Sequence, residues 1–149
     1  MSKADSLPFA VTLEVRDACL CLHAQRAARA LARRFDEAFR PLGLTNGQFS
    51  LLMALNRPEP PGMKPVAELL ALDRTTLTAA LKPLTRRGLV TVSSDLGDRR
   101  GRRLGLTDAG RTLLGQAMPV WRAVHAEVED GLADPARLRR DLVRLSAAG

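Results

Sequence analysis

Residues 74–111 read RTTLTAALKPLTRRGLVTVSSDLGDRRGRRLGLTDAGR, and this stretch decides the fold. In its first part, four apolar residues fall on one face of a helix at about 100° per residue: Leu77, Ala80, Leu81, Leu84. The spacing then changes, and the segments 90–93 and 103–106 place an apolar residue at every second position, which is typical of β-strands. The stretch therefore predicts a helix followed by a β-hairpin, with residues 95–101 as a long hairpin loop.

The same stretch holds nearly all of the net charge. It contains nine Lys/Arg and three acidic residues, so it carries a net charge of +6 out of +7 for the 149 residues. A field focused in this way suits a polyanion, whose condensed counterions are released on binding. An anionic membrane surface would require one long basic amphipathic helix. Here the charge follows a helix, a turn and two strands, which favours double-stranded nucleic acid and not a membrane.

Upstream of this stretch, the sequence predicts two further short helices. Thr45 and Gln48 have the spacing of a capping box and begin a short apolar helix, residues 49–55. Prolines in residues 58–62 indicate an extended loop, and a third helix follows at about residues 65–70. After a turn, Asp73 is placed to cap the helix that begins the charged stretch. Three short helices and a hairpin in this order predict a winged helix-turn-helix.

Longer helices flank this core. Apolar residues at spacings of three and four predict one helix from Leu13 to Phe39, ended by Pro41 and Gly43. Thr107 is placed to cap a helix that continues to about Asp130, and a last helix covers residues 135–145. We expect a mainly α (α+β) fold: a winged helix-turn-helix with long N- and C-terminal dimerisation helices. The expected domains are 1–44 for dimerisation, 45–107 for DNA binding and 108–149 for dimerisation.

The outer helices carry more apolar surface than a small winged domain can cover. The helix after Thr107 has apolar residues spaced as a helix-pairing seam: Leu114, Ala117, Trp121, Val124, Val128. The last helix adds three more, namely Leu138, Leu142 and Leu145. We therefore expect a homodimer with two-fold symmetry, and its DNA site to be pseudo-palindromic. A monomer that folds these faces onto itself is the alternative.

Several short motifs, in order, resemble the MarR family of multiple-antibiotic-resistance regulators. The matching segments are Ala67-Glu68-Leu69, Asp73-Arg74-Thr75-Thr76-Leu77-Thr78, Arg87-Gly88-Leu89-Val90, Asp98-Arg99-Arg100 and Leu106-Thr107. The segments Pro41-Leu42-Gly43-Leu44-Thr45 and Gln48-Phe49 also fit. The resemblance implies a homodimeric transcription regulator, usually a repressor that a small ligand or an oxidant releases from DNA.

Two positions depart from the usual pattern of the family. Ala71 stands where the turn often has Gly, and a positive φ there would cost a non-Gly residue about 1 kcal/mol. Pro83 lies inside the fourth helix, where the missing backbone donor costs about 3 kcal/mol in a straight helix. We expect a kinked recognition helix at Pro83.

The candidate DNA-binding residues lie on the exposed face of that helix and on the hairpin. Small side chains near the helix start can approach base edges, and the cations can reach phosphate oxygens. The candidates are Arg74, Thr75, Thr76, Thr78, Ala79, Lys82, Arg86, Arg99, Arg100 and Arg102. By its position in the family, Arg100 is expected to enter the minor groove. The alternatives are a solvated helix face and an ion pair between Asp98 and Arg99 across the loop.

Two routes for a regulatory signal follow from the first helix. Cys19 and Cys21 are candidate redox residues, because His23 one turn after Cys19 could favour the reactive thiolate. A disulfide between them is not expected, since side chains two apart on a helix diverge. Two inert cysteines in a packed interface are the alternative. The second route is a small aromatic or anionic effector, with Arg16, His23 and Arg26 as candidate lining residues by analogy.

Other classes of function have less support. The chain has two histidines, no His/Cys spacing for a metal and no phosphate-binding glycine loop, so we expect no enzyme, no cofactor and no metal site. No apolar run suggests a membrane span or a signal peptide, and a cytoplasmic location is expected. A non-specific architectural DNA-binding protein remains the alternative, and it would share the charge without a preferred site.

Overall fold

The computed structural model describes residues 6–95 and 97–147, without the side chains of Asp95 and of residues 98–100. Its elements are α1 (Phe9–Ala18), α2 (Leu20–Phe39), a 3-10 turn (Arg40–Leu42), α3 (Asn46–Ala54), α4 (Met63–Leu70), α5 (Arg74–Arg86), β1 (Val90–Asp95), β2 (Asp98–Leu106), α6 (Asp108–Asp130) and α7 (Pro135–Ala147). The expected winged helix-turn-helix class is confirmed. None of the described helices has the length and apolar character needed to cross a membrane.

The chain divides into two compact units, Met1–Arg34 and Phe35–Gly149. The first unit contains α1 and the first part of α2, and here the prediction of one continuous helix was wrong. Cys19 has φ −70° and ψ 110°, an extended conformation that ends α1. Its backbone N–H donates to the Val15 carbonyl at 2.9 Å. The apolar spacing of three and four continues across Cys19, and neither Gly nor Pro stands there. The sequence therefore contained no indication that the helix is interrupted.

The second unit begins with the end of α2, which stops where the sequence indicated. Pro41 lies in the 3-10 turn, and Gly43 follows it with φ 67°, in the left-handed region that favours glycine. The Arg87 guanidinium donates to the Gly43 carbonyl at 2.8 Å. This bond joins the turn after α2 to the end of α5, so Arg87 has a structural partner within the fold.

The helix caps that the sequence predicted are present. The Thr45 hydroxyl accepts from the Gln48 backbone N–H at 3.2 Å, and the Gln48 side chain accepts from the Thr45 N–H at 3.1 Å. Thr107 accepts from the Gly110 N–H at 3.0 Å and begins α6. These local bonds satisfy backbone donors that a helix leaves unpaired at its first turn.

Aromatic rings form a continuous stack through the second unit. Phe35, Phe39 and Phe49 follow one another with ring centroids 5.9 and 4.8 Å apart. Trp121 of α6 lies 6.5 Å from Phe49, and His125 stacks on Trp121 at 4.5 Å. The stack ties α2, α3 and α6 together in one core, and such ring pairs add stability beyond the area they bury.

Helix α6 packs against the winged core of its own chain. Leu114 and Ala117 are buried, and Trp121 and Val124 pack against the same cluster. The expectation that this seam pairs between subunits is therefore wrong for Leu114 and Ala117. A spacing of three and four identifies a buried stripe, but it does not identify the surface that buries it.

Gly110 shows how closely α6 approaches the hairpin. A Cβ at this position would lie 2.2 Å from the Leu89 carbonyl oxygen, well inside van der Waals contact. Helix α7 behaves differently, because it buries no residue among those described. Its apolar side chains are exposed, with Leu142 at 45% and Val143 at 66%.

Candidate nucleic-acid interface

The turn between α4 and α5 contains a non-glycine residue with positive φ, a conformation for which an energetic cost was expected from the sequence. Ala71 has φ 53° and ψ 42°, the left-handed conformation, and it is the single non-glycine residue with positive φ in residues 6–95 and 97–147. The Leu72 N–H donates to the Ala67 carbonyl at 2.9 Å, which closes the end of α4. The turn ends α4, and α5 begins three residues later at Arg74.

Helix α5 separates a buried face from an exposed one, as its spacing predicted. Leu77, Leu81 and Leu84 are buried, and Ala80 packs beside them. The candidate DNA-binding residues of this helix are all exposed: Arg74, Thr75, Thr76, Thr78, Ala79, Lys82 and Arg86. The exposed face therefore combines short side chains with three cations, and its contact with DNA stays a prediction.

Asp73 fixes the first turn of α5. One of its carboxylate oxygens accepts from the Thr76 backbone N–H at 2.7 Å, and the other accepts from the Thr76 hydroxyl at 3.0 Å. These bonds to the charged form hold the pKa of Asp73 below its usual value of 3.8, although the carboxylate is open to solvent. The Thr78 hydroxyl donates to the Arg74 carbonyl at 2.8 Å. Thr76 and Thr78 thus keep oxygen lone pairs that can accept a hydrogen bond from a base.

A groove of about 530 Å³ runs between α5 and the hairpin. Four cations surround it, namely Arg74, Lys82, Arg86 and Arg102. Its remaining lining is Met63, Leu81, Val92, Thr78 and Thr85. The apolar floor was not part of the sequence prediction. Only Val92 had a usable signal, because it alternates with polar neighbours on β1 and could have been placed on the face toward α5.

The hairpin is longer, and its loop shorter, than the sequence suggested. Strands β1 and β2 extend to Asp95 and from Asp98, so the predicted seven-residue loop was wrong. The pairing passes from Ser94 with Arg102 to Asp95 with Asp98, which leaves three extra residues on β2 at this irregularity. Turn residues such as Gly97 and Gly101 suggested a loop, whereas the arginines between them continue the strand as a bulge.

Side chains alternate between the two faces of β2, so the neighbouring Arg102 and Arg103 have different surroundings. Arg102 pairs with Ser94 and shares a face with Leu104, so it lies beside the groove. Arg103 points to the opposite face, where its guanidinium donates to the Pro60 carbonyl at 3.3 Å. The Leu104 N–H also donates to the Pro61 carbonyl at 2.9 Å. The segment around Pro60 therefore supports the outer edge of β2.

The side chains of Asp98, Arg99 and Arg100 lie outside the described residues, although the backbone places all three on β2. The expected entry of Arg100 into the minor groove and the alternative pair between Asp98 and Arg99 both remain predictions.

The candidate redox residues sit at the break between α1 and α2. The Cys19 sulfur accepts from the Leu22 N–H at 3.4 Å, which is the position of a helix cap, and its side chain is half-buried. His23 Nδ1 lies 2.7 Å from the Cys19 carbonyl oxygen, so this contact joins the imidazole to the backbone of Cys19, and an effect of His23 on the thiol stays a prediction. Cys21 is exposed, and its sulfur accepts from the Gln25 amide at 3.3 Å. Cys19 lies between α1 and α2, and both cysteines are free thiols.

The structure does not bring the three candidate ligand residues together. Arg16 forms an ion pair with Asp17 at 2.7 Å and lines an apolar hollow of about 340 Å³ between α1 and α2. His23 and Arg26 line a different hollow on α2, together with Arg29 and Arg33. The second hollow is strongly basic, and it adds two arginines that the sequence prediction did not include.

Comparisons with known proteins identify the family. The model of the MarR family matches residues 44–101. The transcriptional regulator MosR of M. tuberculosis, solved in complex with DNA, is 42% identical over 87% of this chain and 95% of its own, with a TM-score of 0.81. The chain belongs to the MarR family. This family consists of transcription regulators.

Two further relatives of this MarR-family protein differ in how much they cover. TtmR of Methylorubrum extorquens, an HTH-type transcriptional regulator, is 35% identical over 67% of this chain, and this chain spans 51% of the length of TtmR. CouR of Rhodococcus jostii RHA1, solved with p-coumaroyl-CoA, is 24% identical over 89% of this chain and 95% of its own, with a TM-score of 0.76. At that identity the likeness to CouR is one of fold.

Proposed function

We propose that this MarR-family protein is a homodimeric transcription regulator of the cytoplasm, without enzymatic activity, that binds a pseudo-palindromic site in duplex DNA. The observation that carries the proposal is the groove between α5 and the hairpin. Arg74, Lys82, Arg86 and Arg102 surround that groove, and the short side chains of α5 lie beside it. Cations around a rigid helix and hairpin suit a phosphate backbone that passes between them.

The two halves of this surface suit different grooves of DNA. An α-helix fits the major groove, where Thr75 and Ala79 can approach base edges and the thymine methyl group. A hairpin tip with Arg99 and Arg100 suits the minor groove, whose narrow form attracts guanidinium groups. We infer that one backbone strand lies across the groove between α5 and β2, held by Arg86 and other cations.

We infer that the segments 1–44 and 108–149 hold two such surfaces together. In the second unit, α7 exposes Leu138, Leu142 and Leu145, which a partner subunit would cover. The N-terminal unit also exposes large apolar side chains, among them Phe9 and Leu20. A two-fold dimer would place two recognition helices about one helical turn of DNA apart, and it would act as a repressor by occupying its site.

A small aromatic or anionic effector is proposed to release the repressor. The basic hollow of His23, Arg26, Arg29 and Arg33 supports an anionic group, and the apolar hollow beside Arg16 supports an aromatic one. CouR, which has the same fold, contains p-coumaroyl-CoA, a ligand with both features. Calorimetry with aromatic carboxylates and acyl thioesters tests this part of the proposal. Arg26→Ala should lower the affinity for a ligand that binds in the basic hollow.

The alternative signal is oxidation of Cys19. A hydroperoxide would convert the thiol to a sulfenic acid and be reduced to the alcohol. The Cys19 sulfur, which accepts from the Leu22 N–H at the start of α2, would then carry an added hydroxyl group, and the break between α1 and α2 would change. Loss of DNA binding after hydroperoxide treatment, absent in Cys19→Ser, would support this alternative over a small ligand.

The proposed function is tested by selecting bound sequences from a random duplex pool. A regulator should enrich a two-fold symmetric site, whereas a pool without any preferred site would support a non-specific architectural protein. Affinity for the selected site should fall as salt rises, since phosphate contacts release counterions. Arg100→Ala should lower the slope of log affinity against log salt by about one if Arg100 contacts DNA.

A further inference from the structure

Helix α5 continues from Arg74 to Arg86 with Pro83 inside it. In an α-helix the N–H of each residue donates to the carbonyl four residues earlier. Proline has no N–H, so residue 83 cannot donate to the carbonyl of Ala79. The sequence therefore removes one helical hydrogen bond at a defined carbonyl of the recognition helix.

Helix geometry places that carbonyl on the solvent side of α5, because the buried face carries Leu77, Leu81 and Leu84. Ala79 lies on the outward face of α5, next to Thr75 and Lys82, and its side chain is only a methyl group. A shallow notch of about 380 Å³ surrounds it, lined by Arg74, Thr75, Thr78, Ala79 and Lys82. The notch leaves room beside Ala79 for a donor from outside the protein, and the Pro83 ring, which crowds the carbonyl four residues earlier, turns that carbonyl away from the helix axis.

Other carbonyls of the same helix have additional donors from side chains. The Thr78 hydroxyl donates to the Arg74 carbonyl at 2.8 Å, and the Thr85 hydroxyl donates to the Leu81 carbonyl at 2.9 Å. At Ala79 water can supply the missing donor while the helix is free. Once a ligand displaces that water, the carbonyl must find a new donor, because an unpaired carbonyl in a dry interface is destabilising.

We propose that the Ala79 carbonyl accepts a hydrogen bond from an exocyclic amine of a DNA base, and that Pro83 is thereby a determinant of sequence specificity. The inference rests on the proposed function, since it requires α5 to lie in the major groove. Only adenine N6 and cytosine N4 present hydrogen-bond donors at the major-groove edge. Guanine O6 and N7 and thymine O4 would instead bring an oxygen or nitrogen acceptor against the carbonyl.

The surrounding side chains fit this arrangement. Arg74 and Lys82 on the rim of the notch can hold phosphate oxygens, which would fix the distance between α5 and the base edges. Because the acceptor belongs to the backbone, substitution of Ala79 itself does not remove it. Substitution of Pro83 by a residue with an N–H occupies the Ala79 carbonyl, because that N–H restores the helical hydrogen bond.

The test is a double-mutant cycle between protein and DNA. Starting from the selected site, each adenine of a half-site is replaced by purine and each cytosine by 2-pyrimidinone, which lack the exocyclic amine. For the natural protein, one such replacement per half-site should weaken binding about fivefold, the size expected of one hydrogen bond. For Pro83→Ala, the same replacement should change affinity less than twofold, whatever the overall affinity of that variant.

Two variants identify the acceptor. Thr75→Val and Thr78→Val retain Pro83 but lose a hydroxyl, and each should keep the fivefold loss on amine removal. Disappearance of that loss in either Thr variant would assign the amine to a hydroxyl and overturn the proposal. An equal loss in the natural protein and in Pro83→Ala would overturn it too, as would the absence of any position with a fivefold loss. Failure to enrich a symmetric site is a distinct result, because it contradicts the proposed function itself.

Discussion

The core around α5 and the C-terminal helix α7 differ in how much of their apolar surface this chain covers. Leu77 and Leu84 of α5 are fully buried by the surrounding helices and the hairpin. In α7, Leu142 is 45% exposed and Val143 is 66% exposed. The core thus contains within one chain the contacts that specify it, whereas α7 has an apolar face that requires a surface from outside the chain.

The largest expected effect is in the core. Leu84→Ala should lower the free energy of unfolding by about 3 kcal/mol, because it leaves a cavity in a close-packed cluster. In the dissociated chain, Leu145→Ala in α7 should lower the free energy of unfolding by less than about 1 kcal/mol, since that side chain is half exposed when no partner covers it. Chemical denaturation of both variants at one protein concentration measures the difference, and equal losses would contradict the comparison.

A second pair of substitutions tests how closely α6 belongs to the core. Gly110→Ala should destabilise the fold by about 2 kcal/mol, because the new Cβ would meet the Leu89 carbonyl and force the backbone to move. Gly115→Ala in the same helix has no atom within 4 Å of its new Cβ. It should stabilise the helix by about 0.5–1 kcal/mol. Thermal unfolding of the two variants should therefore shift in opposite directions.

The exposed face of α7 is tested by charge. Leu138→Asp combined with Leu142→Asp should weaken self-association at least tenfold, because two carboxylates would have to be buried in the interface. Sedimentation over a range of protein concentrations measures the change. The secondary structure of the dissociated protein should stay close to that of the natural chain. An unchanged dissociation constant would show that α7 meets solvent in the assembly.

A smaller difference is expected between Arg102 and Arg103 of β2, in their effect on DNA binding. Arg102→Ala should lower the slope of log affinity against log salt by about one, because Arg102 lies beside the groove. Arg103→Ala should weaken DNA binding a few-fold with the slope unchanged, since Arg103 holds the hairpin against Pro60. If both variants lowered the slope equally, the alternation of faces on β2 would not separate their roles.

The smallest expected effect concerns the first turn of α5. The pKa of Asp73 is lowered in the folded chain, so its carboxylate stabilises the fold above the usual pKa of 3.8. That stabilisation is lost as the pH falls from about 3.8 through the lower folded value. Asp73→Asn keeps a capping oxygen but has no proton to gain. Its stability should fall less steeply in this acid range, and an unchanged pH profile would contradict the assignment.

Local chemistry made most of the fold predictable. Helix starts were predicted at three N-cap residues, Thr45, Asp73 and Thr107. The side chain of each accepts from the backbone N–H three residues later, as predicted. The break at Cys19 was not predictable from spacing, because neither neighbour is a typical helix breaker. The burial of Leu114 within its own chain was also not predictable. Periodicity shows that one face of a helix is buried, but it does not show which surface buries it.

The candidate site was predictable as far as helix geometry reaches. The exposed face of α5 follows from the positions of Leu77 and Leu84, and the candidates on it are all exposed. The groove floor was missed, because Met63 and Val92 come from separate elements that only tertiary packing brings together. The different surroundings of Arg102 and Arg103 depend on strand pairing within a stretch that the sequence described as loop.

Thr107 gives the hairpin a closed base. Its hydroxyl accepts from the Gly110 N–H and also donates to the Gly88 carbonyl at 2.6 Å, while its backbone N–H donates to the Leu89 carbonyl at 3.1 Å. The first turn of α6 and the residues just after α5 are thereby fastened at one point. A displacement of α6 would therefore move the base of the hairpin and the C-terminal end of α5 together.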